Sequence, residues 1–327
     1  MAYTTIDNPV EYFSATLYTA NGTARTIATG HQSDWVWLKR RDGAAGHRIA
    51  DSVRGATKLL YSDSTTSEQT DAKSITGFVS TGFTLGDDAN GYDVNTNTNT
   101  MVAWSWKAGG SASSNSNGSI TSSVSASTDA GFSIVSYTGT GSDANVGHGL
   151  SSAPELIITK SRSTTGDWKV HTSAIDGSWD VGTLNSTSAF GNSSYTASTN
   201  SIFYVGSGAP TNASSVTYVS YLLHSVKGYS KFGSYTGNGS LDAPFIHLGF
   251  KPAWLMIKRT DTTNSWVMFD NKRNAFNVVD KHLFANTTDP EDSSANYNEV
   301  DFLSNGFKLR EDNNTINASG GTYIFMA

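Results

Sequence analysis

Three times in this sequence a tyrosine-threonine pair, a short glycine-bearing turn and an apolar run closing on lysine follow one another at nearly constant spacing. Tyr18-Thr19-Ala20-Asn21-Gly22 precedes Trp35-Val36-Trp37-Leu38-Lys39-Arg40. Tyr137-Thr138-Gly139-Thr140-Gly141 precedes Glu155-Leu156-Ile157-Ile158-Thr159-Lys160, and Tyr235-Thr236-Gly237-Asn238-Gly239 precedes Trp254-Leu255-Met256-Ile257-Lys258-Arg259. The Tyr-to-Lys separations are 21, 23 and 23 residues. An internal repeat limits the chain to architectures assembled from similar units, and it is read before any single element. Later runs repeat as well. Gly82-Phe83-Thr84-Leu85 answers Ser201 to Val205 and Asn305 to Leu309, and Met101 to Trp106 answers Tyr218 to Leu223 and Thr322 to Ala327. The repeat places Trp37, Ile158 and Met256 at equivalent strand positions.

Short alternating strands between Gly, Asn and Asp turns argue for antiparallel β-sandwiches, and units of about 100 residues are domains rather than solenoid turns. The expected fold is therefore all-β: three tandem jelly-roll-like sandwiches at 13–110, 131–228 and 229–327. Residues 1–12 read as an extended arm, and 111–130 as a linker (Ser/Gly/Asn-rich over 109–118) followed by a strand from Ser119 to Ala126. Trp35 to Leu38 is apolar at every position, so it should be an interior strand. Val102, Trp104 and Trp106 share a strand face and should be core of the first domain. The last repeat ends in Tyr323-Ile324-Phe325-Met326-Ala327, an apolar strand that either completes its own sheet or packs on a partner. With the 1–12 arm as a docking segment, this points to a homo-oligomer.

Of the 327 residues only 15% are charged, and the net charge is −6. A phosphate backbone is bound by a basic face, so nucleic acid is not an expected partner. The chain has no Cys, which removes disulfides, thiolate metal sites and cysteine nucleophiles. Met1 to Phe13 carries neither a basic nor an apolar signal region, and no apolar run reaches the roughly 20 residues of a membrane span.

Asp51 to Ser62 and Val102 to Gly110, together with Tyr18-Thr19, Trp35 to Arg40 and Gly82 to Gly86, resemble a repeated β domain of virion structural and fibre proteins of tailed bacteriophages, particularly marine ones. The similarity spans nearly the whole chain. The third copy keeps that family's turn as Gly249-Phe250-Lys251-Pro252, whereas Gly30-His31-Gln32-Ser33 lacks its Phe and Pro. The domain is also similar, more distantly, to the concanavalin/SPRY kind of jelly roll. The resemblance implies a component of a phage particle, assembled in the host cytoplasm among other virion proteins; it does not imply an enzyme and does not say which part of the particle. The expected role is a tail fibre or appendage for host attachment, with a trimer favoured, no enzyme activity and no cofactor. Alternatives are a head decoration or head-fibre protein, a carbohydrate-binding module and, last in order, a polysaccharide-cleaving tailspike.

Individual residues offer four kinds of chemistry. Asp87, Asp88, Asn90 and Asp93 put oxygen ligands around the turn glycine Gly91, as Ca²⁺ sites do, without the spacing or closing Glu of an EF-hand. His31, His148 and His247 lie near equivalent turns but in different registers, so the repeat lends no support to a shared metal or catalytic role. Glu11, Glu68, Glu155, Glu291, Glu299 and Glu311 are the glutamates available to a glycoside-cleaving pair. Asp51 with Arg54 and Asp270 with Arg273 recur at matching places and read as structural pairs pinning a turn. Finally, Tyr92, Trp179, Tyr195 and Tyr297 are loop aromatics able to stack on a host glycan.

Overall fold

The computed structural model describes residues 4–292 and 298–327. The chain is all-β, made of antiparallel sheets. In the first repeat the larger sheet orders its strands Phe13–Thr19, Thr100–Trp106, Trp35–Arg40, Arg48–Asp51. The same order recurs as Phe132–Thr138, Thr217–Leu223, Leu156–Ser161, Lys169–Thr172, and as Phe232–Thr236, Thr322–Met326, Trp254–Arg259, Trp266–Asp270. A smaller sheet backs each: Arg25–Ala28 on Gly82–Leu85, Ala144–Gly147 on Ile202–Val205, and Phe245–His247 on Gly306–Leu309. Register fixes the equivalences. Trp37 faces Trp104 and Ile49, Ile158 faces Tyr221 and Val170, and Met256 faces Met326 and Met268.

Strand alternation sends the two faces of each large sheet to different places. Val36, Leu38 and Ala103 join Ile27, Phe83 and Leu85 inside the first sandwich. The other parity points away from it, and these outward residues are buried too. Trp35, Trp37, Val102, Trp104 and Trp106 meet Phe132, Ile158 and Tyr221 of the second repeat and Trp254, Met256 and Ile324 of the third in one shared centre. Trp35 lies 4.5 Å from Tyr221, and Trp106 meets Trp254 edge-on at 5.5 Å. Thus Trp104 and Trp106 are buried, as their parity suggests, but in the centre common to all three repeats rather than in the core of the first. The sandwiches are not beads on a string. Each lends one sheet face to a core that none could bury alone. Full burial of each large apolar side chain contributes about 1.5–3 kcal/mol.

The repeated Tyr-Thr…Gly stretch owes its constancy to a lock closed from the far end of each repeat. Tyr18, Tyr137 and Tyr235 donate their hydroxyls to the carbonyls of Val94, Thr211 and Ile316, all at 2.7 Å. The next residues, Asn95, Asn212 and Asn317, accept from the turn backbone at Asn21, Thr140 and Asn238 through their side-chain oxygens. Their own carbonyls take the N–H of Gly22, Gly141 and Gly239. Those glycines sit at φ +67°, +78° and +63°, where a Cβ is penalised.

Three segments depart from expectation. From Thr4 onward the arm lies against its own chain: Ile6 is buried in the shared centre, and the Val10 carbonyl bonds the His31 ring. Within 111–130 the expected strand forms as Ser122–Ser127 beside Phe132–Thr138, but the expected linker supplies a further strand, Ser113–Asn115, that pairs with it as a hairpin on the second large sheet. The last strand, Thr322–Met326, is paired on both sides, so the incomplete-sheet reason for expecting a partner does not apply.

Candidate functional site

Each repeat grips the one before it in the same way, cyclically. Lys39, Lys160 and Lys258 end the equivalent strands and are fully buried. Lys39 donates to the carbonyls of Arg40 and Thr288, Lys160 to Gly166 and Thr65, and Lys258 to Arg259 and Thr187, at 2.7–3.2 Å. In each case the Thr belongs to another repeat. The first repeat therefore holds the third, the second holds the first, and the third holds the second. Burial pushes all three amines down to about 8. A neutral amine keeps two N–H donors, enough for both carbonyls. A second ring runs parallel. His47, Trp168 and Trp266 donate to Phe284, Tyr61 and Thr183 carbonyls at 3.0, 2.7 and 3.0 Å.

At two of the three junctions this frame carries a buried ion network. Asp51 takes the Arg54 side chain and the backbone N–H of Val53 and Arg54, and also the hydroxyl of Tyr221 from the second repeat at 2.8 Å. Arg54 reaches on to Glu68 at 3.1 Å, and Glu68 is gripped through both oxygens by Arg162 of the second repeat. Burial raises the Glu68 carboxyl, but Arg162 and Arg54 outweigh it and hold it below its ordinary value. The third repeat repeats the pattern. Asp270 takes Arg273 and the Trp104 indole N–H of the first repeat at 3.0 Å, while Glu291 is bound through both oxygens by Arg41. Burial raises Asp270 as well, and its bonds to Arg273 and Trp104 bring it below the usual carboxylate range. The Asp–Arg pairs do pin turns, as the sequence suggests, and they also reach the neighbouring repeat.

The other sequence candidates are spread through the fold. Asp88 is buried and accepts from the backbone of Tyr92, Val94 and Asn95 and from Thr96. Asp87 pairs with Lys73, Asp93 with Arg40, and Asn90 bonds Asp71. Asp87, Asp88 and Asp93 commit carboxylate oxygens to these bonds, whereas Asn90 donates through its amide nitrogen. Among the described residues no group of three or more His, Cys, Asp or Glu is placed to hold a metal. His31 bonds Val10 and Ser105, His148 bonds Thr199 and Leu150, and His247 is exposed. Glu155 bonds Ser225, Glu11 lies on the surface bonded to Asn8, and the Glu299 carbonyl bonds Arg310. Burial raises the Glu311 carboxyl, and Glu299 beside it adds to the effect. Of the loop aromatics, Tyr195 stacks on His171, Trp179 is buried in the second sandwich and Tyr92 lies beneath Arg48; Tyr297 is outside the described residues.

A feature that the sequence did not disclose lies at one end of the shared centre. A pocket of about 350 Å³ opens there, walled by Phe13, Trp106, Phe132, Tyr229, Phe250 and Trp254, with Val10 and Lys251 also lining it. Phe13 and Phe132 stand five residues before Tyr18 and Tyr137, and the residue five before Tyr235 is Ser230. At that one position two repeats carry a ring and the third a serine, while Tyr229, Phe232, Phe250 and Trp254 bring the third repeat's rings to the wall from neighbouring positions. Trp254 is 4% exposed, and its indole N–H has no acceptor among the described residues.

The fold and these junctions define a class of chain in which three β-sandwiches are fused by cyclic bonds around one apolar centre. This chain belongs to the family described as a domain of unknown function, DUF7483, whose model matches residues 8–327. No curated protein and no solved structure matches it. Among the described residues no helix is long and apolar enough to cross a membrane.

Proposed function

We propose that the chain is a structural component of a tailed-phage particle, a rigid fibre or appendage module that displays its β-sandwiches for host-surface attachment. The observation that carries this reading is how the polar groups are spent. The repeated Lys, Asp, Arg and Glu side chains are committed to bonds that brace one repeat against the next. That is what a display body needs, and it commits Asp51, Glu68, Asp270 and Glu291 to bracing the repeats. The resemblance of Asp51 to Ser62 and Val102 to Gly110 to phage virion domains supports the same assignment.

Gold-labelled antibody against the chain, imaged on intact particles, tests it. Label on the tail or its appendages is the expected result. Label on the head would favour the decoration reading, and unlabelled particles would overturn both.

A further inference from the structure

We infer that Asn117 is a modification site: its side-chain amide is lost to the backbone nitrogen of Gly118, and the resulting succinimide opens to isoaspartate or aspartate. The inference does not depend on the particle reading. Asn followed by Gly favours this reaction, because a glycine leaves the attacking nitrogen unshielded by a Cβ. The chain has five such pairs, beginning at Asn21, Asn90, Asn117, Asn238 and Asn305. The fold holds four of them. Gly22, Gly91 and Gly239 donate their N–H groups to the carbonyls of Asn95, Asp88 and Asn317 at 2.8–2.9 Å. The side chains of Asn21, Asn90 and Asn238 are tied to the Thr23 N–H, the Asp71 carboxylate and the Asp242 carbonyl. Gly306 stands inside a sheet, between Leu303 and His247. Asn117 differs. It is exposed in the turn that joins Ser113–Asn115 to Ser122–Ser127. Among the described residues the one hydrogen bond of its pair runs from the Asn117 N–H to the Asn115 side-chain oxygen, at 2.9 Å, which leaves the Asn117 amide and the Gly118 N–H free to react.

The Gly118 nitrogen, on losing its proton, adds to the Asn117 Cγ. The N–Cγ bond forms, the Cγ–Nδ2 bond breaks, and the amide leaves as ammonia with the proton released. Water then adds to one ring carbonyl and breaks its bond to the Gly118 nitrogen. Opening at Cγ leaves aspartate. Opening at the main-chain carbonyl leaves isoaspartate, whose chain runs through Cγ and is one methylene longer. The net exchange is amide plus water for carboxylate plus ammonium.

The extra methylene enters a crowded place. A Cβ on Gly118 would stand 2.5 Å from the Asn145 carbonyl oxygen. Ser119 and Ile120 donate their N–H groups to the Asn145 side-chain oxygen and carbonyl at 2.8 and 3.0 Å, and the Ser122 hydroxyl bonds the Gly147 carbonyl at 2.9 Å. Ile120 is buried in the second sandwich. Residues 118–122 are thus a strap over the outer edge of Ala144–Gly147. Isoaspartate at its start loosens the strap and uncovers a sheet edge, a template for pairing with another chain.

Peptide mass spectrometry of the full 327-residue chain, aged at mildly alkaline pH, tests the inference, with isoaspartyl methyltransferase labelling to separate the two acids. Acid should accumulate at Asn117 about tenfold or more faster than at the other four pairs, each of which must first open locally. In urea all five should react at comparable rates. Asn117→Gln, whose longer side chain closes the ring far more slowly, should remove the early product and leave the thermal midpoint unchanged. Once isoaspartate has formed, protection of the Ile120 amide against hydrogen exchange should fall, whereas freshly prepared Asn117→Asp, with a chain of normal length, should keep it. An equal or faster reaction at another Asn-Gly pair of the folded chain, or the same ranking in urea, would overturn the site. Unchanged Ile120 protection in the isoaspartate form would overturn the loosening of the strap.

Discussion

The junction between the first and second repeats and the one between the second and third share a frame but differ in substance. At the former, Asp51, Arg54, Glu68, Arg162 and Tyr221 form a buried charged network. At the latter, the equivalent positions hold Thr172, Ile175, Phe190, Thr260 and Met326. The backbone bond that joins Glu68 to Arg162 survives there as Phe190 N–H to the Thr260 carbonyl at 2.9 Å, while the Phe190 ring packs on Trp266 at 5.8 Å. One geometry therefore tolerates either a saturated ion network or plain apolar packing. Well-packed apolar groups often match a buried ion pair in stability, while an ion pair with one partner removed is costly. For this chain the charged junctions are best understood as fixing which repeat sits beside which, a hypothesis that swapping the Thr172 and Ile175 pair into the first junction would probe.

The largest effect should come from breaking a network on one side. Arg54→Met or Arg273→Met leaves Asp51 or Asp270 buried without its cation and should cost about 3–5 kcal/mol in denaturant unfolding. Ile175→Val, at the matching place in the apolar junction, should cost only about 0.5–1.5 kcal/mol. Equal losses at the two sites would erase the distinction between the junctions.

Cross-repeat donors come next. Tyr221→Phe removes one of several bonds to Asp51 and should cost about 1–3 kcal/mol, because the acceptor is charged and buried. Met326→Leu at the equivalent place conserves volume and should cost less than about 1.5 kcal/mol.

Acid should separate the junctions as well. Glu68 and Asp270 have folded-state affinities for protons below those of the unfolded chain. Their contribution is complete above the ordinary carboxylate range and is lost as pH falls below about 4 through their lowered values. The hydrogen-exchange protection factors of the Glu68 and Glu291 amides, each rate taken relative to the unfolded chain at the same pH, should fall with acid before that of Phe190 does. Simultaneous loss of protection at all three would contradict the difference.

How much of this was legible in the sequence depends on what each residue's partner is. The repeat was visible because the Tyr lock and the Gly turn are local and recur at fixed spacing. Its closing residues, Asn95, Asn212 and Asn317, lie in polar loops about 80 positions downstream (Tyr18 to Asn95 is 77) and look like any other turn asparagine. Lys39, Lys160 and Lys258 read as charged stops at strand ends; nothing local says that each is buried against another repeat. Parity correctly put Trp104 and Trp106 on one buried face, but parity cannot say whether that face meets its own small sheet or two other repeats. The pocket was not legible, because its walls come from all three repeats and meet only in the folded centre.

The lysine ring gives the most uniform effect, since it is common to all three junctions. With folded values pushed down to about 8, the native chain sheds protons that the unfolded chain retains to about pH 10. Unfolding free energy should therefore rise between pH 8 and about pH 10. Lys39→Met, Lys160→Met and Lys258→Met should each reduce that rise by a similar share, whichever junction they serve. A junction-dependent response would show that the frame is less symmetric than its geometry.

The central claim is that the three repeats fold as one body because they share one core. Scanning calorimetry of the intact chain tests it directly. A single transition whose calorimetric enthalpy equals its van't Hoff enthalpy is the expected result. Two or three separable transitions, or a calorimetric enthalpy well above the van't Hoff value, would show sandwiches that melt independently and would contradict the shared centre.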